Sequence, residues 1–357
     1  MSKMTHEPVE VVAGVDTHAD THTAAVLDML GHRLGTREFP TTPAGNRRLL
    51  DWVQSHGTVT AAGVEGTGSY GAGLTRVLRA ADVKVWEINR PDRATRRAKG
   101  KSDPIDAEAA AEAVLGGRIA GVPRSRDGVS EAIRVVHMVR RTAVKARTAA
   151  LNTLGQLLVT APDPLRGQLR NLTTGKRVRA AANLRPGPDL TDSVAATKTA
   201  LRRVAKRILD LEAEIGEAKA ELDALTQHAA PKLRALMGVG PDVAAQLLIT
   251  AGGNPERLTS EGSFAALCGT APRPASSGKI VRHRLNRGGD RQANRALHVI
   301  VLTRMRYDER TRQYVQRRTS EGLSTSEISR CLKRYIAREV HLILKQALQP
   351  QPQQIAA

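Results

Sequence analysis

Two aspartates, Asp103 and Asp106, stand three residues apart in the stretch KSDPIDAEAAAEA at 101–113. On a helix that spacing puts both side chains on one face. The alanine-rich sequence after them predicts such a helix, with Asp103 at its cap, Pro104 at its first position and Asp106 in its first turn. Capping alone accounts for both acids, so the pair needs partners before it implies chemistry. Asp16 closes the apolar run VVAGVD at 11–16, and Glu65 closes a strand-like run at 58–65. Acids at two strand ends and one helix start can converge at one edge of a sheet. Four carboxylates so close repel one another unless a hard divalent cation sits among them. Magnesium suits that role, as two ions bridging a phosphodiester. It would polarise the phosphoryl oxygens and stabilise the attacking and leaving groups. Asp16, Glu65, Asp103 and Asp106 are therefore the candidate catalytic residues and metal ligands. His18 and His22, in DTHADTH, read as turn residues.

The charge pattern points to a polyanionic partner. The 357 residues carry 55 Lys and Arg against 35 Asp and Glu, a formal net charge of +20. Each neutralised phosphate releases counterions, so such an excess favours nucleic acid and predicts binding that weakens steeply with salt. Aromatic residues make up 2% of the chain, which leaves phosphate contacts rather than base stacking as the main binding mode. One basic run, Arg90, Arg93, Arg96, Arg97, Lys99 and Lys101, lies directly before the aspartate pair. A second lies in APRPASSGKIVRHRLNRGG, where Lys279, Arg282, Arg284 and Arg287 follow a Ser276–Ser277–Gly278 turn and Arg291 comes soon after. By its residues alone this is a phosphate-binding loop with flexible turn chemistry. Cys268 and Cys331 make no disulfide framework and suggest a reducing compartment. The absence of a long apolar run predicts a cytoplasmic protein with no membrane partner.

A rival chemistry occupies the same region. GTGSYG at 66–71 is a G-x-G-x-x-G that follows a strand and opens a helix, with Glu87 21 residues beyond its first glycine. That is a dinucleotide-binding fingerprint. The arginine cluster after Glu87 and the +20 charge have no role in a dehydrogenase. Two further alternatives share the acids: a resolvase-like nuclease that uses water, and a nucleic-acid scaffold in which the acids only cap.

The elements that must position these residues follow from periodicity. Runs at 11–16, 21–30 and 32–40 read as strands, Thr42 caps a helix through 46–57, and 58–66, 72–81 and 83–89 read as strand, helix and strand. A meander followed by strand–helix alternation predicts a mixed α/β sheet. From 129 to 160 the pattern turns helical, with Pro and Gly at 162–167 and 186–188 breaking it. Leu201, Val204, Ile208, Leu211, Ile215, Ala218, Leu222 and Leu225 then form a heptad seam, the pattern of a coiled-coil hairpin or dimer arm. Residues 231–348 read as helical around a loop at 269–289, with a Ser324–Glu327 capping box and a Gly-rich turn in LRALMGVGPDVAAQLL, 233–248, like that of a helix-hairpin-helix. The ends, 1–8 and 349–357, read as disordered tails.

Together, GVDTHADTHTAAVLD, EGTGSYGAGL, EINRPDRATRRAKGKSDPIDAEAAAEAVL and GTAPRPASSGKIVRHRLNRGGDRQANRALHVIVLTRMR resemble the insertion-sequence 110 family of transposases over about 9–345. That family comprises DEDD transposases, understood as bridge-RNA-guided DNA recombinases. The resemblance implies an RNase H-like (RuvC-like) domain at 9–126, a helical linker and coiled coil at 127–230, and a serine-bearing, mostly helical transposase domain at 231–348. It matches the family's acid tetrad to Asp16, Glu65, Asp103 and Asp106, and its catalytic serine to Ser277, with Ser276 as the other member of the doublet. It further implies donor and target DNA, a structured guide RNA, a homo-oligomer (dimer or tetramer) held by the coiled coil, and a bacterial, nucleoid-associated protein.

Overall fold

The computed structural model describes residues 9–89, 102–253, 256, 258–276, 283–284, 286 and 288–348. Both predicted tails lie outside the described residues. The chain divides into two compact units, residues 1–126 with 251–259 and residues 127–250 with 260–357.

The first unit is built on a five-stranded sheet. Strands β1 (Glu10–Thr17), β2 (Thr21–Asp28) and β3 (Arg33–Pro40) form an antiparallel meander. Asp28 tightens its second turn by accepting from Leu30 N at 2.9 Å and His32 N at 2.8 Å. Helix α1 (Pro43–Gln54) starts where Thr42 Oγ1 accepts from Gly45 N at 3.0 Å, with Pro43 in the first turn. Strand β4 (Thr58–Glu65), helix α2 (Ala72–Ala80) and strand β5 (Lys84–Ile88) follow, and helix α3 (Asp103–Leu115) completes the unit. The strand order is β3-β2-β1-β4-β5, with β4 parallel to both β1 and β5. This is the mixed sheet that the alternation predicts, and it suits an RNase H-like domain.

Both faces of the sheet are covered, which is why β1 is buried along almost its whole length. Val11, Ala13 and Val15 face a core shared with Leu49, Val53, Leu74 and Leu78 of α1 and α2. The alternate residues face α3, where Val12 and Leu27 pack on Ala111. One detail differs from the sequence expectation. Ser102 holds the cap position of α3, and Asp103 is its first helical residue.

The second unit is helical. Helix α4 (Gly128–Val159) pairs with α7 (Ser193–Ala229), with α5 (Asp163–Arg170) and α6 (Thr174–Ala182) between them in sequence. All eight residues of the heptad seam are buried or half-buried. Leu201, Ala205 and Ile208 share a core with Ala150, Leu154 and Leu158, so the start of α7 meets the end of α4 and the two run antiparallel. The seam thus has a partner within its own chain. The long helix does break before 162–167, α4 ending at Val159, and a new short helix starts at Asp163 with Pro164 in its first turn, where proline is tolerated. Short helices α8 (Pro231–Arg234), α9 (Pro241–Ala251) and α10 (Glu261–Leu267) lead to a small ribbon of β6 (Arg273–Pro274) and β7 (His283–Arg284). Helices α11 (Arg291–Tyr307), α12 (Glu309–Ser320) and α13 (Thr325–Ala347) follow, the last opened by the predicted Ser324–Glu327 capping box. Among the described residues no helix is long and apolar enough to cross a membrane.

Candidate active site

Asp16 and Glu65 lie at the carboxyl ends of adjacent parallel strands. Val15 of β1 pairs with Val64 of β4, so the two acids are next to each other in the sheet. Thr17 Oγ1 donates to Glu65 O at 2.7 Å and ties the two strand ends together. Gly14 and Gly63 precede the acids by two residues and therefore lie on the same face as them. That face carries α3. A Cβ at Gly14 would meet Ala107 O at 2.1 Å and Ala111 N at 2.3 Å, and one at Gly63 would meet Ala110 O at 2.6 Å. The two glycines and the alanines of α3 allow helix and sheet to approach at backbone distance. The helix start is thereby brought to the strand ends, with Asp106 and Asp103 in its first turn.

The four acids share one electrostatic environment. Asp16, Glu65 and Asp106 are 6%, 8% and 7% exposed, and Asp103 is more open. Burial is the main cause that raises the Asp16 carboxyl above its usual range. The nearby His18 opposes this, while the negative charges of Glu65, Asp106 and Asp103 add to it. His18 Nδ1 is 3.7 Å from Asp16 Oδ2. Ligand atoms of Asp16, His18 and Asp103 all lie within 4.8 Å of one another. Sequence reasoning placed His18 in a turn, and it is in one: its N–H donates to Thr21 O at 3.0 Å, and its carbonyl accepts from Thr41 Oγ1 at 3.0 Å. The turn is what aims it at Asp16. His22 is fully buried instead, with Nδ1 3.4 Å from Thr41 Oγ1, and burial lowers its pKa. An open pocket of about 440 Å³ adjoins Asp103 and is also lined by Thr23, Arg37 and Glu38.

This donor set fits a divalent cation: clustered carboxylates, mostly buried, with burial first and the neighbouring acids second disfavouring the charge of Asp16. The sequence also held a signal for the close approach of helix and sheet. Gly14-Val15-Asp16 and Gly63-Val64-Glu65 are the same glycine–valine–acid pattern at two strand ends.

Comparison with known proteins decides the family. Residues 13–161 match the DEDD transposase domain of the IS110 type, and residues 230–316 match the transposase family IS116/IS110/IS902. The two matches together span well over half of the chain. The chain belongs to the IS110 family of transposases. Among its relatives is the 42 kDa protein of insertion element IS900 from Mycobacterium paratuberculosis, 29% identical over 153 residues, which is 42% of this chain and 37% of that protein. A mini-circle protein of Streptomyces coelicolor assigned as the transposase for IS117 is 25% identical over 329 residues, covering 77% of this chain and 80% of its own length. A Pseudomonas aeruginosa protein assigned to the family 20 transposases is 30% identical over 189 residues, half of each chain.

In this IS110-family chain the GTGSYG segment joins β4 to α2. Dinucleotide domains are built on a mostly parallel doubly wound sheet, whereas β1, β2 and β3 are antiparallel neighbours here. The segment is a turn in which Gly66 takes φ +70° and Arg126 Nη2 donates to Gly68 O at 2.8 Å. Of the predicted nucleic-acid contacts, Arg93, Arg96, Arg97, Lys99, Lys101, Lys279, Arg282 and Arg287 lie outside the described residues, as does Ser277. Ser276 is exposed two residues after β6. Arg284 on β7 is exposed and faces Arg273 directly across the ribbon, and Arg291 is exposed at the start of α11. Like charges opposite one another cost stability, so that ribbon suits an anionic partner.

Proposed function

We propose that this chain cuts and rejoins DNA as the recombinase of an insertion sequence. The observation that carries the reading is the convergence of Asp16, Glu65, Asp103 and Asp106 at the ends of β1 and β4 and the start of α3. Membership of a transposase family supports DNA as the substrate. The four acids would hold magnesium, two ions in the full site, which supplies Lewis-acid stabilisation of charge on phosphoryl oxygens when bound. Ser277 is the proposed nucleophile. Its hydroxyl oxygen bonds to phosphorus, the bond from phosphorus to one sugar oxygen breaks, and that oxygen takes up the proton. The phosphoserine ester retains the energy of the broken bond, so the hydroxyl of another DNA end can displace the serine without ATP. Asp16, raised by burial and by its three acidic neighbours, is the group whose charge most needs the cation. A structured guide RNA, a dimer or tetramer and nucleoid association complete the proposal.

The test uses a supercoiled plasmid carrying the ends of the element, incubated with the full chain and magnesium. Parent protein should yield a protease-sensitive protein–DNA adduct. Ser277→Ala should abolish the adduct, and Asp103→Asn should lower strand cleavage by about 10- to 100-fold, the scale of a disturbed metal site. Cleavage by Ser277→Ala at the parental rate would show that water is the nucleophile. Sequencing RNA that co-purifies with the protein tests the guide: a discrete species from the flanking DNA is expected, and a random cellular sample would refute it.

A further inference from the structure

The second unit carries a groove of about 1070 Å³ between α11, α12, α13 and the turn at 235–237. The chain has only four tyrosines, and Tyr314 and Tyr335 both line this groove, with Tyr307 next to its edge residue Asp308. Tyr335 is 54% exposed and Leu342, two helical turns further along α13, is 59% exposed. Exposed apolar and aromatic surface gathered in one concave place marks a binding site more often than chance. Tyr314 and Tyr335 meet edge to face with ring centroids 5.9 Å apart, and Arg317 lies over the Tyr314 ring at 5.5 Å. Burial, together with the proximity of Cys331 and Tyr335, pushes the Tyr314 hydroxyl up to about 12, so its ring stays neutral.

The groove is also cationic. Its two acids are engaged locally: Asp308 caps α12 by accepting from Thr311 N at 2.9 Å, and Glu339 accepts from Arg304 Nη1 at 2.7 Å. Arg310 and Arg317 add positive charge from α12. An apolar protein helix would cover the rings but offer no counter-charge to Arg310, or to Arg317 beyond its 3.8 Å pair with Glu321. Duplex DNA would meet the arginines but presents no open base face. An unpaired strand has both phosphates and flat, exposed bases. We infer that this groove binds an unpaired nucleic-acid strand, with a base stacked on Tyr335 and phosphates held by Arg310 and Arg317. The inference goes beyond the carboxylate chemistry and requires no metal, so it is tested in EDTA, where failure of strand cleavage has no bearing on it.

Fluorescence anisotropy of labelled oligo-dT, oligo-U and a mixed-sequence duplex on the full chain provides the test. Tyr335→Ala should weaken single-strand binding about tenfold, the usual loss of one stacked base, while Tyr335→Phe keeps the ring and stays within about twofold. Duplex binding should be the same in both variants. An effect on oligo-dT, on oligo-U or on both supports the groove and tells which strand it takes. Arg310→Ala should reduce the salt slope of single-strand binding by about one. As a direct readout, a 5-iodouracil strand crosslinked by light should label the tryptic peptide 335–338. Unchanged affinity for both single strands would overturn the proposal. So would an equal loss for the duplex, or a change of oligomeric mass in Tyr335→Ala with strand binding intact.

Discussion

At the scale of single residues, the charge of the site converges on Asp16. Its carboxyl is raised by burial, and the negative charges of Glu65, Asp106 and Asp103 add to this. An acid with a folded pKa above its unfolded value contributes stability only below the unfolded value, and loses it as pH rises through the folded one. At neutral pH the ionised Asp16 therefore opposes folding. Asp16→Asn should melt at a higher temperature than the parent in EDTA, and should lose the stabilisation that magnesium gives the parent. Scanning calorimetry with and without magnesium measures both, and a lower melting temperature in EDTA would contradict the electrostatic picture. His18 offers nitrogen beside oxygen donors, within 4.8 Å of Asp16 and Asp103. Imidazole favours manganese over magnesium. His18→Ala should thus weaken manganese binding by about tenfold, with magnesium affected less; unchanged manganese affinity by titration calorimetry would remove His18 from the site. The acids were legible in the sequence because the chemistry demands their residue type. The position of His18 beside Asp16 was not, since the Thr41 hydrogen bond that helps fix its turn comes from 23 residues away. Nor did sequence alone separate a cap from a ligand at Asp103; Ser102 takes the cap position.

At the scale of elements, the site depends on how closely α3 lies on the sheet. Gly14 sits opposite the backbone of Ala107 and Ala111, with no flexible side chain that can yield. Gly14→Ala must push the helix away from β1, which carries Asp106 and Asp103 away from Asp16 and Glu65. A cost of about 3 kcal/mol is expected, at the upper end for overpacking against rigid neighbours. Denaturant unfolding measures it, and magnesium-dependent stabilisation should fall in the same variant. An alanine variant as stable as the parent would mean that the helix and sheet have slack. The elements of the first unit were legible because glycines, an Asp turn and a Thr cap mark their ends. In the second unit the heptad seam was legible but its partner was not. Periodicity reports that a face is buried without saying what buries it, and here α4 does so. The two-residue strands β6 and β7 are too short to leave a pattern.

At the scale of the whole molecule, each unit holds a histidine whose neutral form is favoured by folding. Burial lowers the pKa of His22 in the first unit, and the charge of His18 adds to that effect. In the second unit burial again dominates at His137, where Asp242 opposes the shift and Arg141 and Arg140 reinforce it. Asp242 is itself ion-paired with Arg140, so part of its pull on the imidazolium is already spent. A base with a depressed folded pKa binds fewer protons in the native than in the unfolded state. Stability therefore falls as pH drops through about 6.5, the unfolded histidine value, and goes on falling until the folded values are passed. The direction is the same in both units, so the effects add across the chain rather than cancel. Denaturant unfolding at pH 7.5 and 5.5 should show lower stability at the acid value. His137→Gln, which keeps a polar side chain but cannot titrate, should reduce that difference and leave the contribution of His22. A parent protein equally stable at both pH values, or a His137→Gln variant with the full parental difference, would show that these histidines fold in their charged form.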